Sequence, residues 1–289
     1  VDLCKNSVDT NNFINGKSVL IIRDNPDDKL HFGKEVSLKI YDRNEIAGGT
    51  SRYQIAEQPI FKTSEDVNDR RGDVLLLING MPVIHVELKR SGVSVNEAAN
   101  QIKKYCHEGI FDRGIFSLVQ IFVAMNPDET IYFANLGRNG VLNKDFFFHW
   151  ADYVNEPIND WKKIASTFLS IPMAHQLVGF FTVADNTDSI LKVMRSYQYQ
   201  AVVNISTKVS NANTSKLWDT PNNKYGGYVW HTTGSGKTLT SFKAAQLIAN
   251  SNDADKVVFL VDRIELGTQS LAAYRGFSDD SESVQGTEN

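Results

Sequence analysis

Asp73, Glu87 and Lys89 carry the sharpest chemistry in this sequence. An extended strand sends alternate side chains to one side, so Glu87 and Lys89 project together with His85 beside them. Two carboxylates meeting at a hairpin can hold a magnesium ion, which prefers hard oxygen donors. Such an ion polarises a phosphodiester and lowers the pKa of an attacking water. A lysine alongside positions that water or offsets negative charge building on the phosphate. Asp73 is followed by an unbroken apolar run, Val74 to Ile78, so it begins a buried strand rather than a surface one. Asn79-Gly80 is a strong hairpin signal, and Val83 to Lys89 reads as the returning strand. A two-residue turn there would set Asp73 against Val86 and point the carboxylates to opposite faces. A three-residue loop through Met81 sets Asp73 against Glu87 on one face. The expectation is therefore a bulged turn, because a slip of one residue inverts the face.

The next element supplies two helpers. Ser94 to Glu97 has the form of a capping box, and Val95, Ala98, Ala99, Ile102, Tyr105 and Cys106 recur at helical spacing up to a stop near Gly109. Gln101 and Tyr105 lie four apart on one face of that helix, where an amide and a phenol can orient a metal site or a DNA backbone. Their plainer readings are a solvated position for Gln101 and core packing for Tyr105. His85 reads more plainly as a hydrogen-bonded strand histidine than as a metal ligand. Lys89, Arg90, Lys103, Lys104, Arg70 and Arg71 can line a local basic groove.

A second constellation lies downstream, at His231-Thr-Thr-Gly-Ser-Gly-Lys-Thr238. Gly234 and Gly236, flanking Ser235, let the backbone turn tightly around phosphate oxygens, with Lys237 reaching the terminal phosphates and the Thr238 hydroxyl a magnesium ligand. Tyr228 to Trp230 is expected as a short strand before this loop, Lys237 to Ala249 as the helix after it, and Lys256 to Val261 as a buried parallel strand. Together they make one βαβ unit suited to a nucleoside triphosphate such as ATP. No Asp-Glu-x-His pair follows, so the chain alone is not expected to turn ATP over.

These sites must be carried by the rest of the chain. Strands are expected at Val36 to Tyr41, Arg52 to Glu57, Leu118 to Ala124 and Thr130 to Ala134, with Ile158 to Phe181 mostly helical and interrupted at Pro172. Arg195 to about Val209 is helical, and a polar linker runs from Ser210 to Lys224. His149, Trp150 and Phe146 to Phe148 read as core, while the stretch before Leu30 is polar and irregular. The chain has 289 residues and a net charge of −4, with 30 basic against 34 acidic residues, which argues against a surface that grips nucleic acid everywhere. Cys4 and Cys106 lack metal-ligand spacing and fit a reducing, cytoplasmic setting. No apolar run is long enough for a bilayer, so no membrane role is expected. Val1 stands where a start Met is usual, so a natural start elsewhere is expected.

Asp73, Glu87-x-Lys89 and Gln101-x-x-x-Tyr105, in this order, resemble the RecB-like branch of the PD-(D/E)xK nucleases. Arg195 to Gln198 resembles the glutamine motif of superfamily 2 helicases, which implies that Gln198 reads the adenine edge. Val261-Asp262-Arg263 resembles the helicase motif that contacts the DNA backbone, against the plainer reading of Arg263 as a solvated charge. Taken together, the chain resembles the restriction (motor and nuclease) subunit of type I restriction-modification enzymes, most clearly at residues 73–90, 194–200 and 228–243. The resemblance covers most of the chain from about residue 30 and implies a fragment of a longer subunit.

That resemblance implies an α/β architecture, with a PD-(D/E)xK domain at 1–183 and the start of a RecA-like lobe at 184–289. It also implies magnesium-dependent cutting of double-stranded DNA coupled to ATP-driven translocation, with separate methyltransferase and specificity subunits as partners. Asp73 and Glu87 would be the metal ligands, and Lys89, Gln101 and Tyr105 would complete the site. A further acidic ligand often occurs N-terminally in the family, and Glu35 and Glu57 are the candidates. The alternatives are a non-catalytic assembly and nucleotide-binding module, or a repair helicase–nuclease.

Overall fold

The computed structural model describes residues 7–14, 19–38, 41–46, 49, 51–62, 69–112, 114–137, 141–216, 226–278 and 283–286. Its contacts divide the chain into two units, residues 1–150, 158–184 and 189–193 in one and residues 151–157, 185–188 and 194–289 in the other.

In the first unit, helix α1 (Ser7–Ile14) precedes a small hairpin of β1 (Val19–Ile22) and β2 (Glu35–Leu38). Strands β3 (Tyr53–Glu57), β4 (Ile60–Phe61), β5 (Arg70–Arg71), β6 (Val74–Ile78) and β7 (Met81–Leu88) follow, then α2 (Val95–His107), β8 (Ile121–Asn126) and β9 (Glu129–Ala134). Five of these strands form one sheet in the order β3-β6-β7-β8-β9, antiparallel except for the parallel pair β7–β8. The crossover that a parallel pair requires is α2. Strands β4 and β5 make a separate short ladder that leads into β6.

Helix α2 is too short to be more than marginal alone, so its buried stripe of Val95, Ala98, Ala99, Ile102 and Tyr105 is what holds it in place. That stripe packs on Leu75, Phe122, Ala124, Ile131 and Phe133 of one sheet face and on Phe61 and Phe111. Ser94 caps the helix by accepting from the Asn96 N–H, so the reciprocal box expected with Glu97 is replaced by a one-sided cap. Beyond the sheet come α3 (Trp161–Ser166) and α4 (Ile171–Gly179). Tyr132, on the sheet face away from α2, is covered by Phe168 at 4.7 Å and Trp150 at 6.1 Å. Pro172 stands at the start of α4, where a missing N–H costs nothing, rather than interrupting a helix. Strands β10 (Thr182–Asp185) and β11 (Ile190–Val193) form a further hairpin.

The N-terminal stretch read as irregular contains α1, whose side of the fold is secured by polar contacts. Asn11 donates to Gln120 at 3.1 Å, and both residues are buried. Of the aromatic cluster read as core, Trp150 is buried, but Phe146 is exposed and His149 lies at the surface.

The second unit holds α5 (Ser196–Thr214), α6 (Lys237–Asn250) and α7 (Ile264–Phe277). Phe242 of α6 packs against Tyr274 and Phe277 of α7. Residues 228–230 and 256–261, expected as strands, join no ladder among the described residues. Trp230 and Leu260 are 87% and 91% exposed. A buried parallel strand is defined by its neighbours, and an apolar run alone does not supply them. Part of the expected polar linker is instead helix, since α5 continues to Thr214; residues 217–225 of that linker lie outside the described residues. Among the described residues no helix is long and apolar enough to cross a membrane.

Candidate functional site

The β6–β7 hairpin decides which carboxylates meet. Asn79 and Gly80 have φ values of 52° and 79°, the paired left-handed conformation of a two-residue turn, and Ile78 pairs with Met81 across it. The expected three-residue loop through Met81 is therefore not formed. The correction lies further along the hairpin. Leu77 pairs with Pro82 but Leu76 pairs with Ile84, leaving Val83 as an extra residue that shifts the ladder by one. Val74 consequently faces Val86, and the next step brings Asp73 opposite Glu87. The bulge sits inside the strand, which frees the turn to keep its preferred Asn-Gly geometry.

On this face, His85 and Glu87 align with Phe122 and Ala124 of β8, beneath α2. Glu87 is 1% exposed, and its Oε2 has no hydrogen-bond partner. Burial pushes its carboxyl above the usual carboxylate range, as does the charge of Asp73, while His85 and Lys89 oppose the rise. Lys89 Nζ lies 3.6 Å from Glu87 Oε1 and donates to Gln101 Oε1 at 2.7 Å. The Gln101 amide nitrogen donates to the Tyr105 hydroxyl at 2.6 Å, and that hydroxyl donates to the Arg71 carbonyl at 3.0 Å. Asp73 Oδ2 accepts the Leu88 N–H at 2.7 Å, which ties its carboxylate across to β7. The structure thus gathers Asp73, Glu87, Lys89, Gln101 and Tyr105 in one place. The helical partners act as a chain of hydrogen bonds ending on the ammonium.

Among the described residues no group of three His, Cys, Asp or Glu side chains is arranged to hold a metal. Two carboxylates remain, one of them with a buried oxygen lacking a partner. That set suits magnesium, which keeps several of its waters and binds through one or two carboxylates. The candidates for an added acidic ligand are placed elsewhere. Glu57 pairs with Val74, on the face away from Asp73, and Glu35 belongs to the β1–β2 hairpin outside the main sheet.

His85 departs from the expected hydrogen-bonded strand histidine. It is fully buried, neither ring nitrogen has a hydrogen-bond partner, and Nε2 lies 3.3 Å from Glu87 Oε2. The signal was present in the His-x-Glu spacing, which places both on one side of a strand. Of the expected basic groove, Arg70 is taken up by Glu108 through two bonds of 2.7 and 2.8 Å, which hold the Glu108 carboxyl below its usual range. Arg71 reaches the Gln58 side chain at 3.3 Å.

The glycine turn before α6 is built by left-handed residues, Gly234 at φ 78° and Gly236 at φ 83°, with α6 starting at Lys237. Lys237 Nζ donates to the Thr232 carbonyl at 2.9 Å, so the ammonium folds over its own loop, and Ser235 Oγ donates to the same carbonyl at 2.7 Å. Thr238 is half-buried in the first turn of α6. Gln198 lies against this loop, but its amide is engaged by the protein. Nε2 lies 3.3 Å from the carbonyls of Ser235 and Gly236, and Oε1 accepts the Arg195 N–H at 2.9 Å. Tyr197, not singled out in the sequence, adds a bond from its hydroxyl to the Ser235 carbonyl at 2.9 Å. Arg263 is the exposed N-cap residue of α7.

Residues 20–140 match the family described as type I restriction enzyme R protein N terminus, and residues 197–289 match the SWI2/SNF2 ATPase family. A type I restriction enzyme endonuclease subunit of Staphylococcus aureus is 37% identical over 269 residues, 92% of this chain and 27% of that protein. One from Staphylococcus saprophyticus is 36% identical over 272 residues, 93% of this chain and 27% of that protein. One from Escherichia coli is 35% identical over 147 residues, half of this chain and 47% of that protein. The chain therefore spans about a quarter of the length of the two staphylococcal relatives.

Proposed function

We propose that this chain, which belongs to the endonuclease-subunit family of type I restriction enzymes, supplies the DNA-cutting site of such an enzyme together with the phosphate-binding part of its motor. The observation that carries the reading is the meeting of Asp73, a buried Glu87 and Lys89 on one side of a bulged hairpin. A PD-(D/E)xK nuclease needs that grouping, and the five-stranded mixed sheet crossed by α2 is compatible with it.

Asp73 and Glu87 would hold magnesium, which would supply polarisation of the phosphodiester and a lower pKa for the attacking water. The protein's own part is positional. Glu87 and Asp73 present oxygen donors from adjacent strands, and the desolvation that raises the Glu87 pKa makes a cation at its carboxylate favourable. Lys89 places a positive charge where negative charge builds on the phosphate, and the Gln101–Tyr105–Arg71 chain keeps that ammonium from swinging into solvent. In the second unit, Gly234, Ser235, Gly236 and Lys237 cradle the phosphates of ATP, Thr238 offers a hydroxyl to its magnesium, and Lys237 exchanges the Thr232 carbonyl for phosphate oxygen. Gln198 shapes the loop through the Ser235 and Gly236 carbonyls, and adenine contact requires it to release them. In the whole subunit this unit belongs to a RecA-like lobe that drives translocation along double-stranded DNA, with specificity and methyltransferase subunits as partners.

The test is made on the full-length subunit assembled with those partners. Asp73→Ala and Lys89→Ala are each expected to abolish cutting while ATP hydrolysis persists. Cutting that survives Asp73→Ala removes the site assignment.

A further inference from the structure

We propose that His85 is a positioning residue that fixes the Glu87 carboxylate for cation binding, an inference that rests on the nuclease reading above. Each oxygen of Glu87 is flanked by a different nitrogen, Oε1 by Lys89 Nζ at 3.6 Å and Oε2 by His85 Nε2 at 3.3 Å. Together they set the plane of the carboxylate between an ammonium and an imidazole. Of the two neutral tautomers, the one with its hydrogen on Nε2 can serve Oε2 at 3.3 Å, though the pair is not aligned as a formed hydrogen bond. The other would bury an N–H at Nδ1 with no acceptor and set two lone pairs against each other.

The surroundings leave the imidazole little freedom to turn away. The rings of Phe111, Phe61, Phe122 and Tyr105 enclose it at centroid distances of 5.4, 5.7, 6.3 and 6.4 Å. Gly72, the residue before Asp73, closes the remaining side, since a Cβ there would come within 2.8 Å of His85 Cε1. So much aromatic packing around a histidine without a hydrogen-bond partner is costly unless its nitrogen serves a neighbour. Among the described residues its charged neighbour is Glu87, with Oε2 3.3 Å from Nε2. At 3.3 Å and off the line of a formed N–H···O bond, the contact has to tighten when a cation engages Glu87 for His85 to act in this way.

The experiment measures Mn2+ binding to this chain by the loss of the free-ion electron paramagnetic resonance signal. His85→Phe keeps the aromatic packing and removes the N–H; should it fail to fold by circular dichroism, His85→Leu replaces it. His85→Gln restores an N–H at the position of Nε2. Weakening of about tenfold or more is expected for His85→Phe, with recovery to within about threefold of the parent in His85→Gln. Parent-like binding in His85→Phe overturns the proposal, and so does equal weakening in both variants, which would assign the effect to packing. Asp73→Asn separates the two levels. If it binds Mn2+ as the parent does, the cation site itself is refuted; if it loses binding while His85→Phe keeps it, only the role of His85 falls.

Discussion

Replacing Tyr105 by Phe removes one oxygen from the middle of the chain that ends on Lys89. Its hydroxyl accepts from Gln101 at 2.6 Å and donates to the Arg71 carbonyl at 3.0 Å, and the residue is 4% exposed, so water has little access to take its place. The ring itself stays, with its edge contact to Phe61, so little apolar burial is lost. Gln101 is only half-buried, and its freed amide can turn to solvent. The cost is therefore the net loss of the bond to the carbonyl of Arg71, an exposed residue, about 0.5–1.5 kcal/mol. For a chain of this size each kcal/mol lowers the melting temperature by roughly 2–4 °C. Urea titration and a thermal melt of Tyr105→Phe against the parent measure it. Lys89 keeps its contact with Glu87, so cutting by the assembled enzyme should fall by about 10- to 100-fold rather than vanish. A loss of stability below about 0.5 kcal/mol would refute the bond chain, since that is less than the net worth of one hydrogen bond. Cutting as dead as that of Lys89→Ala would refute a purely orienting role for the phenol.

Two further outcomes follow from packing and protonation. Gly72→Ala drives a methyl to within 2.7 Å of Phe61 and 2.8 Å of His85, both fully buried, so it should cost about 1–3 kcal/mol on denaturant titration; a neutral result would mean the rings can move aside. His175 is buried, its Nδ1 lying 2.9 Å from the Tyr53 hydroxyl and its Nε2 2.9 Å from the Asp42 carbonyl, and burial lowers its pKa despite those partners and the nearby Asp42 and Glu45 charges. The unfolded chain then takes up the proton first, so this contribution is complete above the ordinary histidine value near 6.5 and is lost as pH falls through the folded value. Denaturation midpoints between pH 8 and 5 should fall less steeply in His175→Phe than in the parent; equal slopes would count against the burial of a neutral imidazole.

The strands and helix around the candidate site were legible because their signals are local. The run from Val74 to Ile78, the Asn79-Gly80 tip and the apolar spacing of α2 each follow from two- or 3.6-residue periodicity. The need for a one-residue shift between Asp73 and Glu87 was also legible, from chemistry rather than from pattern. Its location was not, because Val83 is an ordinary strand residue and a bulge is chosen by the packing on both faces. The environment of His85 depends on Phe61, Phe111 and Phe122, brought in from three separate segments, which no spacing reveals. In the second unit, the glycine turn and α6 could be read directly, whereas residues 256–261 resemble a strand only in composition. Helix α1 escaped notice because its buried side is largely Ser7, Thr10 and Asn11, polar side chains that give no apolar stripe.

Val83 also gives the hairpin a reading frame. On the helix-covered surface the even-numbered Pro82 is followed, past the extra residue, by the odd-numbered His85 and Glu87, so parity changes once along the strand. Inserting or deleting one residue between Val83 and Glu87 would exchange the two surfaces' contents, much as a frameshift rewrites everything downstream. Lengthening at the tip beyond Asn79 does not touch that count, and variation in the length of this hairpin is expected to be confined there.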